Sequence, residues 1–112
     1  MTDTLHPDHH PDPVHCVQVA DGLVVRLIGD IDMSSWARLD EAYDTIHAAE
    51  PCPVTVDLSA TTFIDSTTLG FLARLHELVK GRGHELVLES PSRIVARAME
   101  VSGLNRVLTV RP

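Results

Sequence analysis

The chain has 112 residues, 44% of them hydrophobic, and sets 9 Lys and Arg against 16 Asp and Glu for a formal charge of −7. That length holds one compact domain with a single core, not two. The acidic balance argues against a nucleic-acid partner held through its phosphates, and no apolar run nears the ~20 residues of a membrane span, so a soluble protein with protein or small-molecule partners is expected.

The first thirteen residues, MTDTLHPDHHPDP, contain three Asp, three His and three Pro, with only Met1 and Leu5 apolar. They bury too little to offset the entropy of ordering and read as a disordered tail, leaving a folded domain at residues 14–112. Within and beside the tail, His6, His9, His10 and His15 lack anything that fixes a ligand geometry, so neither a metal site nor a cofactor is expected. The opening MTDTLHPDHH has no basic segment followed by an apolar one, and Cys16 and Cys52 form no close-spaced pair. This pattern predicts a cytoplasmic protein with reduced thiols and no membrane insertion.

Residues 14–20 (VHCVQVA) and 23–28 (LVVRLI) are rich in β-branched side chains and flank Asp21-Gly22, which predicts an antiparallel hairpin turning at that dipeptide. Leu39, Ala42, Tyr43 and Ile46 then recur at helical spacing, on a first helix starting near Ser34 or Ser35 and stopped by Pro51 and Pro53. Residues 54–58 (VTVDL) alternate as a strand does. Leu69, Leu72, Ala73, Leu75 and Val79 mark one face of a second helix over about 67–80, ended by Gly81-Arg82-Gly83. Residues 85–89 (ELVLE) read as a buried strand. Ser90-Pro91 then starts a third helix, with Ile94, Ala98 and Val101 on one face and Gly103 as its stop. Residues 106–110 (RVLTV) supply a last strand. Strands alternating with helices after a hairpin predict a single α/β domain, a mixed β-sheet with α-helices packed on it.

The segment FIDSTTLG, residues 63–70, puts a serine behind an aspartate where a loop meets the second helix. Ser66 there sits near unpaired N–H groups and the positive end of the helix, where a plain N-cap is the commoner role, although the same place can hold a phosphate group. Asp32 and Asp65 each follow a predicted strand and could lie at the same edge of the sheet, which invites a paired-carboxylate reading, although the simpler role for Asp32 is to end a strand and start a helix. No Gly-x-Ser-x-Gly turn surrounds Ser66, so a serine hydrolase has the least support. His47 and His76 fall on helices as ordinary surface or half-buried residues. Trp36 is expected to pack beside the first helix, with an interface role as the lesser possibility.

Taken together, residues 29–32 (GDID), 54–59 (VTVDLS), 63–70 and 102–108 (SGLNRVL) resemble the STAS domain of bacterial anti-sigma factor antagonists, over residues 14 to the C-terminus. The resemblance implies that Ser66 is the residue a partner kinase phosphorylates, that the chain is not an enzyme, and that Asp32, Met33, Ser34, Asp65, Ser66, Thr67, Thr68, Leu69 and Gly70 meet the partner. Thr68 stands where the family usually has glycine, and Thr67 replaces the commoner second serine. The implied partners are an anti-sigma factor that is itself a serine kinase, bound by the unphosphorylated form so that a sigma factor is released, and a phosphatase that resets the switch. An alternative from another class is a STAS subunit of an ABC-type lipid transporter or other assembly, with no phosphotransfer.

Overall fold

The computed structural model describes residues 12–112. The expected tail lies outside the described residues as far as residue 11. Its last two residues are inside and are tied down: the Pro13 carbonyl accepts from the Ile28 N–H at 2.9 Å and the Asp12 carboxylate from the Val14 N–H at 3.0 Å.

Strands β1 (Val14–Val19) and β2 (Gly22–Leu27) pair antiparallel, in a register that sets Val19 opposite Gly22. The turn is therefore Ala20-Asp21, not Asp21-Gly22, and none of the three residues takes positive φ. Gly22 serves a different purpose. A β-carbon there would overlap the Pro53 carbonyl oxygen, which accepts from the Leu23 N–H at 3.1 Å. Strand β4 (Val54–Asp57) joins β2 in parallel, followed by β6 (Leu86–Glu89) and β7 (Thr109–Arg111), so one mixed sheet runs β1-β2-β4-β6-β7. The last strand starts later than its sequence suggests, because Leu104–Arg106 coil into a 3-10 turn.

Two further strands escape the periodicity reading. Strands β3 (Gly29–Ile31) and β5 (Thr61–Ile64) form a separate parallel pair, with Ile31 beside Ile64. Stretches of three and four residues are too short to display alternation.

Helix α1 (Trp36–Ala48) buries Leu39, Ala42 and Ile46, and α2 (Ser66–Gly81) buries Thr68, Phe71, Leu72, Leu75 and Val79. Tyr43 and Leu69 pack against the same core from its margin. Sequestering each such aliphatic or aromatic side chain contributes roughly 1.5–3 kcal/mol, the main force holding the helices to the sheet. Arg82, just past α2, donates to the carbonyls of Ile46 at 3.2 Å, Ala49 at 3.1 Å and His47, closing the end of α1 that its own ladder leaves open. Left-handed φ falls on Gly83 after α2 and on Gly103 after the third helix.

Helix α3 (Arg93–Ser102) departs from expectation at two points. Its cap is Ser92, whose hydroxyl accepts from the Val95 N–H at 3.2 Å, while Ser90 holds an unusual φ of 57° before Pro91. Its buried residues are Val95 and Met99, leaving Ile94 at 62% and Val101 at 74% exposure. Two apolar stripes one residue apart run along this helix, and packing against β5 selects the one that holds Val95 and Met99.

Candidate functional site

Strands β3 and β5 end side by side, and an aspartate follows each: Asp32 after Ile31, Asp65 after Ile64. Because paired strands lie ~4.8 Å apart, the register delivers both segments to one edge of the domain. Both aspartates thus follow strands at one edge, as expected, with Asp65 lying between the end of β5 and the start of α2.

Each aspartate, in extended backbone geometry, caps the helical segment next to it in the chain. Asp32 accepts from the Ser34 N–H at 2.9 Å and from the Ser34 hydroxyl, and so opens a 3-10 turn, Met33–Ser35, that leads into α1. These bonds, the hydroxyl's first, hold its carboxyl below the usual carboxylate range. The start of the first helix therefore rests on Asp32, ahead of the Ser34 or Ser35 start that the sequence predicts. Asp65 accepts from the Thr68 N–H at 3.1 Å and is the N-cap of α2.

This assignment displaces the plain reading of Ser66. The cap is Asp65, and Ser66 is the first residue of α2, exposed to solvent. Its N–H and that of Thr67 belong to the first turn, whose donors have no partner in the helix ladder. Partial positive charge gathers at the same point.

Thr68 is fully buried, and its hydroxyl donates to the Ile31 carbonyl at 3.0 Å. The Asp65 N–H reaches the same carbonyl at 3.3 Å. Thr68 thus has no surface to offer a partner; it ties the start of α2 to the end of β3. Leu69 is half-buried against the core, whereas Met33, Ser34, Ser66 and Gly70 are exposed and Asp32, Asp65 and Thr67 half-exposed.

A cleft of about 410 Å³ opens between the start of α1 and the first three turns of α2, lined by Met33, Trp36, Ser66, Thr67, Gly70, Phe71 and Arg74. Trp36 is not packed away: it is 48% exposed, and Met33 76%. The Arg74 guanidinium lies 5.9 Å from the Trp36 ring centre and 4.4 Å from that of Tyr43. Sequence reading passed over Arg74 and Phe71 in this role. The available signal was spacing, since Ser66, Gly70 and Arg74 succeed one another at four-residue intervals along one face of α2.

Cys16 and Cys52 are both free. Among the described residues no group of three His, Cys, Asp or Glu is placed to hold a metal ion, and no helix is long and apolar enough to cross a membrane. His47 is exposed and stacks on Tyr43, with ring centres 6.2 Å apart, while His76 is half-buried with its Nδ1 lacking a hydrogen-bond partner.

A mixed sheet with helices packed on it, and a serine presented beside a capping aspartate, define a small α/β domain. The family profile described as "Mlab, STAS domain" matches residues 15–110, and the chain belongs to the STAS-domain anti-sigma factor antagonist family. It is 32% identical over 99 residues to the anti-sigma-F factor antagonist RsfB of Mycobacterium tuberculosis, covering 86% of this chain and 80% of that one. With the anti-sigma-B factor antagonist of Listeria monocytogenes it shares 26% identity over 91 residues, covering 81% and 80%. Among solved structures, an anti-sigma factor antagonist from Mycobacterium paratuberculosis superposes with a TM-score of 0.73 at 29% identity, over 92% of this chain and 89% of that chain.

Proposed function

We propose that this chain is an anti-sigma factor antagonist switched by phosphorylation of Ser66. In the unmodified state it binds an anti-sigma factor of the serine-kinase type through the face that carries Asp32, Met33, Ser66 and Gly70, and the sigma factor is released. Phosphorylation ends the binding, and a phosphatase restores it. The chain is the substrate of the transfer and supplies no catalysis of its own.

The observation that carries this reading is the division of labour at the start of α2. Asp65 takes the capping bond and Thr68 the anchoring bond, so Ser66 is exposed with no structural duty that modification would disturb. A phosphoryl group adds about −1.5 to −2 charges there, close to Asp65 and to the segment that begins at Asp32. First-turn N–H groups and the helix dipole accommodate that charge in the folded chain. An acidic or apolar partner surface does not, and excluding such a group from a docked interface weakens binding.

Phosphorylation with the cognate kinase and Mg-ATP, followed by mass spectrometry, tests the assignment. The group is expected on Ser66 alone, with Ser66→Ala unmodified and still able to bind. Modification of Thr67, or undiminished modification of Ser66→Ala, overturns it. Identifying the ATPase-like protein that co-purifies from the source cell separates this function from assembly with a transporter ATPase.

A further inference from the structure

The cleft beside Ser66 has a chemical character unlike the rest of the chain. None of its seven lining residues is acidic, although the chain carries −7 overall. Its floor is Phe71, only 1% exposed, and its walls are the exposed Met33 and Trp36. A volume of about 410 Å³ lies in the lower part of the ~300–1,000 Å³ range of sites that enclose a small apolar group. One wall is open because residue 70 is glycine: a β-carbon there would meet nothing within 4 Å.

Among the described residues Arg74 is the only cation lining this space. Its guanidinium lies over the Tyr43 ring, with Trp36 at the outer reach of a cation–π interaction, and such stacking leaves in-plane N–H donors available. Among the described residues a single carboxylate, that of Asp40, approaches it, at 3.9 Å, and both side chains of that pair are nearly half exposed, so the pair is weak and exchangeable. A pre-oriented guanidinium at the end of an apolar slot selects an anion attached to an apolar group.

We propose that the cleft seats a protein segment of the partner that inserts one apolar side chain between Met33, Trp36 and Phe71 and sets an adjacent carboxylate on Arg74. This rests on the reading of the Ser66 face as the docking face, and it names the chemistry that face recognises. It also supplies a reason for the switch. A phosphoryl group on Ser66 stands at the mouth of the same cleft, where it repels an incoming carboxylate within the ~8–10 Å over which charges act at ordinary ionic strength.

A small probe tests the recognition without any kinase or partner. 3-Phenylpropionate and its uncharged analogue 3-phenylpropanol are titrated into the full chain, followed by Trp36 fluorescence, since Trp36 is the only tryptophan, and by amide shifts at Gly70 and Arg74. The acid is expected to saturate at millimolar concentration, as fits a fragment of this size, and the alcohol to bind about fivefold more weakly, as fits one half-exposed charge pair. Arg74→Gln should bring the acid down to the level of the alcohol. Gly70→Leu should abolish binding of both; it fills the cleft while favouring the helix, so loss of fold is not an alternative explanation. Equal binding of acid and alcohol, indifference to Arg74→Gln or to Gly70→Leu, shifts elsewhere on the domain, or no saturable binding would each overturn the proposal. Because the probe involves no phosphate, these outcomes leave the assignment of Ser66 standing, and a failure of that assignment leaves the probe result intact.

Discussion

Two aspartates, Asp32 and Asp65, occupy equivalent positions at the ends of paired strands and perform the same capping task, yet the segments they start behave differently. The turn after Asp32 is held by local bonds only, to its carboxylate from exposed Ser34 and to its carbonyl from the N–H of buried Ser35, and it leaves Met33 and Ser34 in solvent. The turn after Asp65 is pinned to another strand through buried Thr68 and the Ile31 carbonyl. A local cap fixes backbone direction only, whereas a cap joined to a buried long-range bond also fixes position. Ser66 stands on the second kind. Its hydroxyl is offered from a doubly anchored start of α2 beside a segment held by local bonds, an arrangement that suits the proposed change of charge without a change of fold.

Removing the buried tie should separate the two segments most clearly. Thr68→Val keeps the shape but leaves the Ile31 carbonyl with only the longer bond from the Asp65 N–H, at a cost of up to about 1.5 kcal/mol. At roughly 4–8 °C per kcal/mol for a domain of this size, the drop is readily seen in a thermal melt; an unchanged melting temperature would mean that Thr68 anchors nothing. Asp65→Ala should cost about 1 kcal/mol as a lost N-cap, measured by urea denaturation. Asp32→Ala should cost less than Asp65→Ala in the same denaturation series, because its bonds are local and solvated; a larger loss would reverse the comparison. The smallest effect concerns pH. The Asp32 carboxyl is held below its ordinary range by Ser34, so its contribution is present above the unfolded-state pKa of ~3.9 and is lost as pH falls through the lower folded-state value. Acid melts of Asp32→Asn should therefore show a shallower decline of stability below about pH 4 than the parent, and identical slopes would contradict the bonds described.

Much of the sheet and of the first two helices is legible in the sequence because long elements display their period. Leu39, Ala42 and Ile46 on α1, and Leu72, Leu75 and Val79 on α2, all lie where their spacing puts them. Strands β3 and β5 are not legible, since each is too short for a period and finds its partner some thirty residues away. Helix α3 shows the opposite problem. Ile94 and Val101 obey helical spacing as well as Val95 and Met99 do, and only contact with β5 decides between the two stripes. At the site, sequence singled out the aspartates and Ser66. It did not show that Thr68 turns inward or that Trp36, Phe71 and Arg74 close around a cleft, because both depend on how two helices approach each other.

If the Ser66 face binds a partner and phosphate disrupts this binding through charge, affinity must change while the fold stays intact. Calorimetric titration of unmodified and Ser66-phosphorylated protein against the purified anti-sigma factor, with a thermal melt of each form, tests both halves at once. The phosphorylated form should bind more weakly by roughly tenfold to several hundredfold, on the scale of ~1.4 kcal/mol per decade, with a melting temperature almost unchanged. Equal affinities, or a melting temperature lowered by many degrees, would contradict a switch that acts through charge.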